Sequence, residues 1–97
     1  MESTEIIIQM LDKFILMFGG NYGDFYVGTT DNPDHQLYEV HKIGYVIPFS
    51  YKQARDAKAA SKIAGHFSAV GCDGTGSDDN DHAVFVYVYK KGPNTNP

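Results

Sequence analysis

Ninety-seven residues, 42% hydrophobic and 13% aromatic, fit one domain with a single core and leave no room for a second. A net charge of −4 and a pI of about 5.3 run against the basic balance of a protein that grips nucleic acid over a wide face. No run approaches the roughly 18 apolar residues of a membrane span, and a lone cysteine, Cys72, excludes an internal disulfide.

The first predicted element is a helix capped by Thr4. Its apolar residues Ile7, Ile8, Leu11, Phe14, Ile15 and Phe18 recur at steps of three and four and form one wide stripe. Gly19-Gly20 ends it. The run from Asp24 to Thr29 is aromatic and β-branched and reads as a strand. Asn32-Pro33 fits an N-cap and first helical residue, opening a short helix to about His41 that buries Leu37. A second strand runs from Ile43 to Phe49, with Pro48 marking an edge or a strand end.

Ser50-Tyr51-Lys52-Gln53 matches a capping box, which predicts a long helix burying Ala60, Ile63, Ala64, Phe67 and Val70 and stopped by Gly71. Gly74 to Asp81 is a flexible acidic loop. Ala83 to Tyr89 is the strongest strand, apolar on both faces and so expected in the middle of a sheet. Gly92 to Pro97 reads as a flexible tail on a domain of residues 1–91. The expected fold is α+β, with an antiparallel sheet of about three strands and three helices.

Charge is segregated. Residues 1–41 hold seven acids and one base, whereas residues 42–62 hold five bases and one acid. Acidic faces and one basic helix side follow, the latter built from Lys52, Arg55, Lys58 and Lys62. The start of the chain, with only Ile6-Ile7-Ile8 before Asp12 and Lys13, lacks a signal-peptide core. A reducing cytoplasm, that of a host cell, is the expected location, with Cys72 a structural thiol.

Phe25-Tyr26-Val27-Gly28-Thr29 resembles the second half-motif of the GIY-YIG nuclease fold. The order that follows also resembles small GIY-YIG-like proteins of phages and bacteria: Asp31 and Pro33, a helix ending in His41, a long helix, Asp73-Gly74 with Gly76, and Val86-Tyr87 with Tyr89-Lys90. The resemblance covers roughly residues 5 to 91. It implies tyrosines, an arginine on the helix after the half-motif and a metal-binding glutamate on a later helix. Tyr26 matches a tyrosine. The arginine position falls on His35 or Gln36, and the glutamate position on Ala64. Alanine holds no divalent cation, which needs oxygen ligands, and neither His35 nor Gln36 offers a guanidinium fork for phosphoryl charge. The resemblance therefore implies the frame without its catalytic pair.

Other polar residues form no recognisable centre. His35 and His41 are six apart, off the three-or-four spacing of one helix face, and His66 and His82 read as surface groups. Asp78, Asp79 and Asp81 do not follow calcium-loop spacing. Carboxylates are more suggestive as a row. Duplex DNA carries one charge per roughly 1.7 Å of axis, and a rigid protein can copy that with acids. Glu2, Glu5 and Asp12 belong to the first helix; Asp31, Asp34 and Glu39 surround the second.

The expected function is a non-enzymatic, phage-encoded inhibitor that presents an acidic DNA-mimicking surface to a basic DNA-binding complex of the host. In size and acidity the chain is similar to small anti-CRISPR proteins that act on type I CRISPR surveillance complexes. The expected contact residues are Asp31, Asp34, Glu39, Asp78, Asp79 and Asp81. No cofactor, metal or direct nucleic-acid ligand is expected. The rivals are an endonuclease using Tyr26 and His35, and a DNA-binding module using Lys52, Arg55, Lys58 and Lys62.

Overall fold

The helical stripe in residues 4–18 and the β-branched run in 83–89 set the architecture, seen in a computed structural model that describes residues 3–40, 47–74 and 82–92, with backbone alone for 38–40. Helix α1 spans Thr4–Met17 and buries Ile7, Leu11 and Ile15, with Ile8 and Phe14 packed beside them. Its cap is Ser3, one residue earlier than expected: the Ser3 hydroxyl accepts from the Ile6 N–H at 3.3 Å. Gly19 and Gly20 end it with φ of +118° and +76°.

Three strands follow, β1 (Phe25–Thr30), β2 (Phe49–Gln53) and β3 (Phe85–Lys90). All pairings are antiparallel and the order is β1-β3-β2. The domain is thus α+β, and the strand apolar on both faces takes the centre. Helix α2 (Ala57–Val70) packs on β1 and β3, and α1 packs on α2 and β2. Phe25, Val27, Val86 and Val88 fill the helix-covered face with Ile63 and Phe67. The other face carries Tyr26, Tyr87 and Tyr89 with Phe49, closed by Leu37 from a π-helical segment, His35–Val40.

The stretch Ser50–Gln53 does not cap a helix. It pairs with Phe85–Val88 as most of β2, because its alternation of aromatic and polar residues finds a ready partner in β3. The predicted strand over 43–49 reaches β2 only at Phe49, and 43–46 lie outside the described residues. The true cap of α2 is Asp56, whose carboxylate accepts from the Ala59 N–H at 2.7 Å. Asp56→Ala is expected to lower the unfolding free energy by about 1 kcal/mol, read as a shift in the urea midpoint; a matching loss in Ser50→Ala with no loss in Asp56→Ala would restore the capping-box reading.

Val70, expected in the core, is 43% exposed. The chain turns at Gly71 (φ +123°) and Cys72 takes the inward place. Cys72–Gly74 then runs along the outer edge of β1: the Val27 N–H donates to the Asp73 carbonyl at 3.0 Å, and the Asp73 N–H to the Phe25 carbonyl at 2.8 Å.

Candidate functional site

The register sets one end of the sheet where β1 and β2 finish and β3 begins. The chain leaves β1 there through a fixed turn. The Asn32 N–H donates to the Thr30 hydroxyl at 3.1 Å, and that hydroxyl donates to the Asn32 carbonyl at 3.3 Å. The Asn32 side-chain oxygen accepts from the His35 N–H at 3.2 Å, and its carbonyl from the Gln36 N–H at 3.0 Å, so the predicted cap forms. Pro33 is buried. These bonds hold Asp31 and Asp34 out into solvent, and neither pairs with a described cation. Glu39 lies on the π-helical segment with only its backbone described. Asp78, Asp79 and Asp81 lie outside the described residues, as do Glu2 and His41.

Other acids divide by position. Phe14 meets Phe25 at a 6.1 Å ring separation, and the Lys90 ammonium donates to the Phe18 carbonyl at 3.0 Å. The last turn of α1 therefore sits at the far end of the sheet, and its first turn, with exposed Glu5, points the other way. Asp12 is not available to an acidic row: it is half-buried and accepts a short hydrogen bond from the Tyr22 hydroxyl, which holds that phenol's pKa above its usual value. Asp73 pairs with Lys91 at 3.3 Å and Asp56 with Arg55 at 3.7 Å.

A second constellation occupies the aromatic face. The Tyr26 ring stacks on Tyr89 at 5.4 Å and on Tyr87 at 6.3 Å. The Gln36 amide donates to the Tyr87 hydroxyl at 3.4 Å. Burial raises the Tyr89 pKa strongly, with Tyr26, Tyr87 and Asp73 adding to it, and raises Tyr26 in the same sense with help from Asp73. Both phenols stay protonated at neutral pH. Two positions singled out from the sequence, Tyr26 and Gln36, thus meet around Tyr87. His35 is exposed, and Ala64 is buried in α2 on the opposite side of the sheet from Tyr26.

The predicted basic helix side is broken up. Lys52 lies on β2 and Arg55 in the bend after it; only Lys58 and Lys62 share the exposed face of α2. His66 and His82 are exposed. Among the described residues, no group of three His, Cys, Asp or Glu side chains could hold a metal ion. Cys72 is buried, and desolvation, reinforced by Asp12, pushes its thiol up to about 11. That makes it a poor nucleophile.

Sequence reasoning missed Tyr87, Tyr89, Tyr22 and Asp73 as organising residues. Two signals were present: Tyr87 and Tyr89 are two apart, hence on one strand face, and a glycine inside a strand, Gly28, marks a close approach. No family model, curated protein or solved structure matches this chain.

Proposed function

We propose that this protein is a non-enzymatic inhibitor, of the phage-encoded anti-CRISPR type, that offers an acidic DNA-mimicking surface around the Asp31–Asp34 turn to a basic DNA-binding complex of a host cell and competes there with DNA. The observation that supports this reading is the fixed turn holding Asp31 and Asp34 in solvent without a described cation. A DNA mimic needs carboxylates placed in advance, since ordering them on binding costs entropy. The turn supplies this through four hydrogen bonds to Thr30 and Asn32. Like charge to the phosphates it replaces speeds encounter and selects the basic partner.

The test is competition with duplex DNA for a purified type I CRISPR surveillance complex. The protein is expected to displace DNA, and Asp31→Asn/Asp34→Asn to weaken binding by about tenfold, more at low salt. A ternary complex in which DNA and protein bind together ends the mimicry reading.

A further inference from the structure

The two outer edges of the sheet are treated differently, and the difference follows from hydrogen-bond alternation. In an antiparallel ladder each residue directs both its N–H and its C=O to the same side, and neighbours alternate. The Lys90 N–H donates to the Pro48 carbonyl at 2.9 Å and the Ala54 N–H to the Val84 carbonyl at 2.8 Å. With the register Ser50–Val88 and Lys52–Val86, the even-numbered residues of β2 face β3. Tyr51 and Gln53 therefore turn their N–H and C=O groups outward.

On β1 the matching outward groups of Phe25 and Val27 are taken by Asp73. On β2, nothing among the described residues pairs with those of Tyr51 or Gln53. Only an extended chain matches such a row of alternating donors and acceptors. Tyr51 is 38% exposed and rests edge-on against Phe85 at 6.1 Å, so an apolar side chain of the arriving strand has an aromatic surface beside it.

Charge decides what that strand carries. Between Ile47 and Asp56 the charged residues are Lys52, Arg55 and Asp56; Asp56 pairs with Arg55 at 3.7 Å, which leaves Lys52 as the cation of the strand. Two copies pairing edge to edge would bring their Lys52 side chains together, which disfavours self-association. An acidic strand is drawn in.

We propose that the outer edge of β2 is a docking site for an extended acidic segment of a partner polypeptide, added as a fourth strand with Lys52 facing its carboxylates. This edge lies across β3 from the Asp31–Asp34 turn, and the proposal does not depend on the reading of that turn.

The probes are two short blocked peptides, Glu-Val-Glu-Val-Glu and Lys-Val-Lys-Val-Lys, titrated into isotopically labelled protein and followed by amide NMR. The acidic peptide is expected to bind about tenfold more tightly, to shift the Tyr51 and Gln53 amides and to slow their hydrogen exchange. Gln53→Pro removes one outward N–H that the sheet does not use and is tolerated at an edge; it is expected to weaken binding about tenfold. If that variant loses the native amide spectrum, Lys52→Glu gives the same reading by reversing the preference between the peptides. No binding of the acidic peptide, equal binding of both, binding that leaves Tyr51 and Gln53 unprotected, or protection of those amides by dimerisation without peptide would each overturn the proposal.

Discussion

Between pH 9 and 11 this protein is expected to lose stability steeply. The Cys72 thiol ionises near 9.0 in the unfolded chain and near 11 in the fold, where burial disfavours the thiolate. Below pH 9 both states carry the proton and nothing is lost. Above it the unfolded state releases the proton first, so unfolding is favoured until the folded thiol also ionises. Two pKa units would correspond to about 2.7 kcal/mol; solvent screening cuts this to about 1–2 kcal/mol, still a fair share of the roughly 5–15 kcal/mol that holds a domain of this size. The phenols of Tyr89, Tyr26 and Tyr22 are all shifted upward and act in the same direction at higher pH. Urea midpoints from pH 7 to 11 should stay flat to about 9 and then fall. Cys72→Ala should flatten the first part of the fall, between 9 and 10, and leave the later tyrosine-driven part. A Cys72→Ala curve parallel to that of the parent would remove the thiol from this account.

Gly28→Ala is expected to cost about 1–3 kcal/mol. Gly28 lies opposite Tyr87 in the β1–β3 pair, and a Cβ there would sit 2.5 Å from the Tyr87 hydroxyl oxygen and 2.7 Å from its Cζ. A flexible side-chain tip could move aside. Tyr87 is held: it is buried on the central strand, stacked on Tyr26 and bonded by Gln36. Strain therefore spreads into the whole tyrosine cluster. Tyr87→Phe removes the nearest atom and leaves the next, so the double variant should recover part of the loss, a coupling measurable in a double-mutant cycle of denaturation midpoints. A Gly28→Ala protein within 0.5 kcal/mol of the parent would show that the ring has room to turn.

What the sequence announces here depends on range. Ile7, Leu11 and Ile15 fix the buried side of α1 because helical spacing is local. Ala83 to Tyr89 announces a central strand because apolarity on both faces has one explanation. Asn32 caps its helical turn through neighbours two to four residues away. Ser50–Gln53 misleads for the opposite reason: a four-residue cap pattern recurs by chance, and its competitor, pairing with Val86 and Val88, lies over thirty positions downstream. The tyrosine cluster is hidden likewise, since Tyr26 meets Tyr89 only after the register exists. Asp73 joins the edge of β1 through backbone groups, which side-chain pattern cannot report. Of the candidate site, the turn carrying Asp31 and Asp34 is legible; the withdrawal of Asp12 from any acidic row, through its bond to Tyr22, is not.

The strand order also bears on how the polypeptide acquires its shape during synthesis. β1 and β2 touch one another nowhere in the sheet; each waits for β3. Until Phe85–Lys90 has left the ribosome, two aromatic ribbons lack their common neighbour, and beyond helical turns only the Asp73 contact with β1 has its partners. Maturation is then a single late event with widely separated partners, the regime of slow closure, and the nascent chain passes through a period in which chaperones have something to hold.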